Sequence, residues 1–237
     1  MTEHPPVKLG ISQLFPCSYL ANNQERLLVV LDHSFYNTDK FEYLLSLGFR
    51  RSSDQIYRPH CPSCSKCKAV RLDVTSFTPS RSQKRTLNKG KHFNLNVSHH
   101  SKPEYYDLYE KYITLRHQDG AMFPPSVEQY NSFLTCQWLT ISYLELWAED
   151  TLIAVAVTDT LSNSLSAIYT FFDPDFEHYS LGTLMIMKQI EFAVSSNKQF
   201  LYLGYQIDEC RKMNYKTKFN PYQKLENDIW YIHTKNL

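Results

Sequence analysis

The chain has 237 residues, 43% of them hydrophobic and 21% charged, enough apolar material for a sizeable core and too much for a disordered chain. Its longest purely aliphatic runs, residues 27–31 and 152–157, fall far short of the roughly 20 residues that cross a bilayer, which excludes a helical membrane protein. The formal net charge of +1 hides a division: residues 1–103 carry 15 Lys/Arg against 7 Asp/Glu, and residues 104–237 carry 10 against 17. A basic half joined to an acidic one predicts a polyanionic partner for the first.

The opening residues, MTEHPPVKLG, place no apolar segment behind a basic one, so no secretory signal is expected. Six cysteines in such a chain predict a reducing, cytoplasmic setting. No fixed-period repeat is visible. LLVVLD at 27–32 reads as a strand, and Thr38 as the N-cap of a short helix to Leu47 with Gly48 closing it. AVRLDV at 69–74 alternates like a half-buried strand. The polar, basic stretch 76–102 is the expected linker between an N-terminal region, 1–102, and a C-terminal domain, 103–237. Tyr105, Leu108, Tyr109, Tyr112 and Leu115 recur at helical spacing within 103–117. Residues 139–148 and 151–160 predict a hairpin about Glu149-Asp150, followed by a strand over 164–172. Ser180-Leu181-Gly182 opens a helix that runs to 195, and further strands cover 199–205 and 228–234. Strands and helices in this order on a mostly antiparallel sheet make an α+β fold.

Cys61, Cys64 and Cys67 stand at three-residue spacing in Y-R-P-H-C-P-S-C-S-K-C. Thiols so spaced can converge on one cation, the turn geometry of a tetrahedral Zn²⁺ or of an iron–sulfur cluster. Cys17 is the candidate fourth ligand, with His60 as its substitute, and Lys66 and Lys68 are expected to lower the thiol pKa. The alternative is a set of reduced structural thiols. Cys136 and Cys210 stand alone and read as buried free thiols.

Arg81, Lys84, Arg85, Lys89 and Lys91 fall within eleven residues, and no acid intervenes between Asp73 and Glu104. On a helix, Arg81, Lys84/Arg85 and Lys89 form a row that can neutralise successive phosphates. No base-reading signature accompanies them. Further on, a strand ending at Phe172-Asp173-Pro174 leads to a helix opened by Ser180-Leu181-Gly182. The free N–H groups of such a first turn make an anion or oxyanion site.

The order of the motifs carries more than any one of them. C-S-Y-L at 17–20, Y-R-P-x-C-x-x-C-x-x-C at 57–67, S-x-S-Q-K-R at 80–85 and Y-x-x-Y-x-x-x-R-H at 109–117 precede D-P-x-F-x-x-x-S-L-G at 173–182, Y-L-G-Y at 202–205 and M-N-Y-K at 213–216. Over essentially its whole length the chain resembles the aminoacyl-tRNA–protein transferases of the N-degron pathway. It is closest to the bacterial branch that moves leucine from leucyl-tRNA onto N-terminal Asp or Glu. Where the eukaryotic arginyl branch has C-G-Y-C, this chain has Cys17-Ser18-Tyr19-Leu20.

The resemblance implies a C-terminal GNAT-like acyltransferase domain behind a smaller cysteine-bearing region, and no cofactor required for transfer. It implies leucyl-tRNA as donor, proteins with N-terminal Asp or Glu as acceptors, and no membrane partner. It further implies that Arg81, Lys84, Arg85 and Lys89 contact the tRNA backbone, and that Arg116, with Arg58 or Lys216, meets the acceptor's carboxylate. Ser180, Leu181 and Gly182 would form the donor pocket with Tyr205, and His117 would move the amine's proton. Three alternatives remain at this level. An arginyl donor would use Asp173 or Asp175. An acetyl-CoA-dependent N-acyltransferase would need a Gly-rich pyrophosphate loop, of which only Ser180-Leu181-Gly182 is present. A metal-stabilised RNA-binding module would not turn over.

Overall fold

Three runs rich in β-branched and aromatic residues in the second half form the longest strands, and the shorter elements assemble around them. The computed structural model describes residues 6–120 and 122–234, with the backbone alone at Phe133; the first five residues of the stretch read for a signal, and the last three of the chain, lie outside it. In the N-terminal part come β1 (Leu9–Ile11), β2 (Phe15–Pro16), β3 (Gln24–Glu25), β4 (Leu27–Val30), α1 (Thr38–Ser46), β5 (Arg50–Ser52), β6 (Gln55–Pro59), β7 (Lys68–Asp73), α2 (Arg81–Lys89) and β8 (Asn94–Ser98). Then follow α3 (Pro103–Arg116), α4 (Val127–Leu134), β9 (Thr140–Ala148), β10 (Thr151–Thr160), β11 (Ser164–Phe172), α5 (Leu181–Ser195), β12 (Phe200–Gln206), β13 (Tyr222–Glu226) and β14 (Ile229–His233). Short 3-10 turns cover His33–Phe35, Pro174–Tyr179 and Asn214–Lys218.

The fold is mixed α and β, as expected. An eight-stranded sheet has the order β14-β13-β7-β12-β11-β10-β9-β8, and a four-stranded sheet has the order β1-β4-β6-β5. Every pair in the large sheet is antiparallel except β11 with β12, which α5 joins in parallel. The stretch 76–102 is not a linker. It holds α2, closed by a capping box between Ser80 and Gln83, and the edge strand β8. With β7 inside the same sheet, between β13 and β12, the large sheet draws strands from both sides of residue 102.

Strand alternation sets the layers. Tyr143 of β9 meets Tyr105 of α3 at 5.2 Å between ring centroids, and Tyr143 is in register with Val157 of β10. The next residue, Thr158, accepts from Gln189 of α5 at 2.7 Å. Consecutive strand residues face opposite ways, so α3 and α5 cover opposite faces. Tyr105, Tyr109, Phe171 and Leu184 are fully buried between them, each large side chain contributing roughly 1.5–3 kcal/mol through burial.

The N-terminal sheet is pinned to the large one by polar contacts. Arg51 Nε donates to both carboxylate oxygens of Asp159 at 2.9 and 3.0 Å, and Trp230 Nε1 donates to Ser46 O at 2.8 Å. Helix α1 starts at Thr38, but Asn37 is its cap, accepting from Lys40 N. Gly48 lies just beyond, at φ +83°, where other residues are strained.

Candidate active site

The only parallel pairing in the large sheet is brief. Ser164, Leu165 and Ser166 pair with Phe200, Leu201 and Tyr202, and the ladder then stops. Beside the interruption, β12 shifts register against β7 between Tyr202 and Gly204, and Gly204 adopts φ +89°. Two carbonyl groups beside the gap accept from cations. Arg50 Nη2 donates to Ala167 O at 2.5 Å, and Lys216 Nζ donates to Tyr205 O at 2.5 Å. Burial, then the positive field of Arg50, pushes the Lys216 amine down to about 7. Tyr205 is tied away from the interval, its hydroxyl donating to Gly48 O at 2.8 Å.

Further along β11 lies a cavity of about 220 Å³ lined by Arg116, Phe172, Glu177, Ser180, Leu181, Gly182 and Thr183. Ser180 ends the 3-10 turn in a left-handed conformation, φ +57°, and starts α5 without a side-chain cap. Arg116 forms an ion pair with Glu177 and lies over the Phe172 ring at 5.4 Å. Its charge is therefore already matched within the protein. Arg58, the second candidate for an acidic ligand, donates to Leu47 O at 2.9 Å and lies 3.6 Å from Asp228. Asp173 and Asp175, the expected acids for an arginyl donor, both pair with Lys111 at 2.7 Å.

His117 follows directly after α3, its ring 4.9 Å from Tyr112. Burial, then the charges of Lys212 and Arg116, hold its pKa below the usual value, so the imidazole is neutral near pH 7 and free to take a proton. An aromatic path runs from the small cavity inward: Phe172 to Tyr112 at 4.8 Å and Tyr112 to Tyr169 at 6.4 Å.

The cysteines occupy another place. Cys17, Cys61, Cys64 and Cys67 line one cavity of about 650 Å³ with Tyr57, Arg58 and Tyr205. They share this cavity, but among the described residues no group of three His, Cys, Asp or Glu is arranged to hold a metal ion. The expected lowering by the flanking lysines is reversed at Cys67. Lys66 pairs with Glu209 at 2.5 Å, and burial together with the neighbouring thiols pushes Cys67 up to about 12. Cys136 and Cys210, expected to be buried, are half-buried.

Helix α2 presents Arg81, Lys84, Arg85 and Lys89 to solvent. Its ends touch both parts of the site. A Cβ on Gly90 would lie 2.4 Å from the Leu184 side chain in the first turn of α5, so any larger residue there would have to push that side chain aside. At the other end, Gln83 Nε2 donates to Lys218 O at 3.3 Å in the turn that carries Lys216.

Of the residues expected at the site, the structure brings Arg116, Ser180 and Gly182 onto one cavity, with His117 next to Arg116. Tyr205 and Lys216 sit together elsewhere, at the interrupted ladder. Arg50 was not foreseen, because an Arg-Arg pair between short strands reads as two surface cations.

The description "Arginine-tRNA-protein transferase, N terminus" matches residues 15–85, and "Arginine-tRNA-protein transferase, C terminus" matches residues 104–226. The chain belongs to the arginine-tRNA-protein transferase family. It is thus an enzyme with an aminoacyl-tRNA donor and a protein acceptor. It is 55% identical over 228 residues to the aspartate/glutamate leucyltransferase of Shewanella amazonensis, covering 96% of both chains. It is 49% identical over 229 residues to that of Pseudoalteromonas atlantica, covering 97% of this chain and 99% of the other. A solved structure of FemX overlaps 82% of this chain and 80% of its own at a TM-score of 0.48 and 8% identity. Among the described residues no helix is long and apolar enough to cross a membrane.

Proposed function

We propose that the protein transfers leucine from leucyl-tRNA to the α-amino group of proteins beginning with Asp or Glu, marking them for degradation in the cytoplasm. The observation that carries this reading is 49–55% identity over nearly the full length to chains named aspartate/glutamate leucyltransferase. Leucine is favoured over arginine because the acids at and beside the small cavity are already paired, Glu177 with Arg116 and Asp173 and Asp175 with Lys111. The order β8-α3-α4-β9-β10-β11-α5-β12, with a single parallel pair that parts, supports a GNAT-like acyltransferase core.

In this scheme Arg81, Lys84, Arg85 and Lys89 neutralise the tRNA backbone, and α2 leads the 3′ end to the first turn of α5. Phe172 and Ser180–Gly182 receive that end, while Arg116, held by Glu177, fixes the cavity wall. The acceptor's α-amine, with an ordinary pKa of about 7.7–8.0, is partly neutral at physiological pH. Its nitrogen attacks the ester carbonyl, a C–N bond forms, and the C–O bond to the ribose breaks. His117 takes the amine's proton and returns it to the leaving 3′ oxygen. Backbone N–H groups of the uncapped first turn of α5 stabilise the oxyanion. Alignment of an already activated ester supplies on the order of 7–11 kcal/mol, and no covalent enzyme intermediate is needed.

No cofactor enters this scheme. A Zn²⁺ ion or iron–sulfur cluster on Cys17, Cys61, Cys64 and Cys67 is a separate proposal, supported by four thiols on one cavity; metal analysis of anaerobically purified protein tests it. Transfer itself is tested with purified protein, leucyl-tRNA or arginyl-tRNA, and peptides beginning with Asp or Glu. Leucine is expected on the peptide N-terminus; product from arginyl-tRNA alone would reverse the donor assignment.

A further inference from the structure

Arg50 is 7% exposed and Lys216 is 5% exposed, yet neither forms an ion pair among the described residues. Arg50 Nη1 has no hydrogen-bond partner among the described residues. The two charges repel each other, and the nearest acid, Asp159, is occupied by Arg51. Capping Ala167 O and Tyr205 O does not explain them. A neutral amide would satisfy a carbonyl at a far lower desolvation cost than a full charge. A buried guanidinium without an anion, beside an amine that burial and Arg50 push down to about 7, describes a receptor whose counter-ion arrives with a ligand.

We propose that the interval between β11 and β12 receives the side-chain carboxylate of the acceptor's first residue, with Arg50 as the specificity-determining contact and Lys216 beside it. This deepens the leucyltransferase reading and rests on it. The other cations near the site are committed: Arg116 to Glu177, Arg58 to Leu47 O and Asp228, and Lys111 to Asp173 and Asp175. The ring of Tyr215 lies 5.4 Å from Lys216 Nζ and is itself 39% exposed, so the cations lie one aromatic ring from solvent.

Separation along β11 agrees. Ala167, beside Arg50, and Phe172, in the small cavity, are five residues apart, about 17 Å of extended strand. That length holds a terminal adenosine and its esterified leucine at one end and an aspartyl or glutamyl residue at the other. Tyr112 reaches into this stretch, its ring 6.4 Å from Tyr169 and 4.8 Å from Phe172.

The test measures transfer to peptides that differ only in a first residue of Asp, Glu, Asn or Gln, with the full chain and leucyl-tRNA. Arg50→Gln is the informative variant, because its amide can still cap Ala167 O; Lys216→Met is the second, and thermal melts confirm that both fold. In Arg50→Gln the KM for the Asp peptide is expected to rise roughly 30-fold or more, collapsing the ratio of kcat/KM between the Asp and Asn peptides, and Arg50→Lys restores part of it. Calorimetric binding of the same peptides to uncharged protein is expected to show the same loss of discrimination. An unchanged ratio in both variants overturns the proposal, as does a loss confined to tRNA affinity, which would place a phosphate at the cations. If the wild-type protein transfers leucine to no peptide, the leucyltransferase reading falls. The calorimetric arm then still decides whether the cations select a carboxylate.

Discussion

Arg50 and Arg51 are neighbours in one short strand and almost equally buried, at 7% and 4% exposure, but the protein treats them oppositely. Arg51 meets Asp159, whose side chain is fully buried, through Nε and Nη2, and its Nη1 donates to Ser53 O and Thr135 O. Each nitrogen of its guanidinium has a partner. Arg50 brings the same guanidinium into the interval between β11 and β12 and leaves Nη1 unpaired. The first arrangement holds two sheets together. The second keeps an unmatched charge in place for something outside the chain. Burial alone does not separate a structural cation from a functional one; the partner does.

The largest effect is expected at the paired side. Asp159→Asn leaves Arg51 buried without its counter-ion and should lower stability by about 3–5 kcal/mol, read by chemical denaturation. The double variant Arg51→Met/Asp159→Leu should recover most of that loss, since it removes both charges. A single variant as stable as the wild type would erase the distinction drawn between the two arginines.

Lys216 should respond with the opposite sign. Its folded pKa is about 7, against 10.5 when solvated, so the unfolded chain binds more protons over that window. Stability contributed by this group therefore rises as pH increases from about 7 to about 10 and is lost on acidification. The groups that act on the amine are Arg50, Cys210 and Cys67, and Tyr215 lies against it. Lys216→Met should stabilise the protein by roughly 1–3 kcal/mol at neutral pH, flatten this part of the pH profile, and weaken acidic-peptide transfer. A destabilised Lys216→Met with intact peptide discrimination would assign the lysine to structure alone.

The solvated cations of α2 form a third class. Lys84→Ala and Arg85→Ala should each reduce the slope of log binding constant against log salt for tRNA by about one, leaving peptide preference and stability unchanged. The smallest effect is expected at the helix cap, where Ser80→Ala removes half of the capping box and should cost about 1 kcal/mol.

Legibility in the sequence followed length and period. The hairpin β9–β10, strand β11 and helices α3 and α5 were visible because their apolar residues repeat over nine or more positions. Strand β8, read as linker, has Asn94, Asn96 and Ser98 on an edge with one neighbour, so polar residues are tolerated there. Helix α4 and strand β13 were missed because five to eight residues carry too few periods to stand out. The Ser80–Gln83 capping box was present in S-R-S-Q and marks where α2 begins. Arg116, His117 and Ser180–Gly182 were singled out through the motif order, and the structure brings Arg116 and Ser180–Gly182 onto one cavity, with His117 next to Arg116 in the chain. The cysteine spacing foretold convergence but not the arrangement of the thiols, which depends on how β3 and the loop after β6 fold together. Arg50 was not legible: pairing of one arginine and orphaning of the next depend on Asp159, 108 positions away along the chain.

Photo-crosslinking tests the proposed path of the donor most directly. Leucyl-tRNA carrying a photoreactive 3′-terminal adenosine and a second reactive group on the acceptor-stem backbone is bound to the full chain, irradiated and mapped by mass spectrometry. The terminal adenosine should label residues 180–184 or Phe172, and the backbone group should label α2. Adducts of the terminal adenosine confined to the cysteine cavity, or to the β14 edge of the sheet, would contradict the placement of the transfer site.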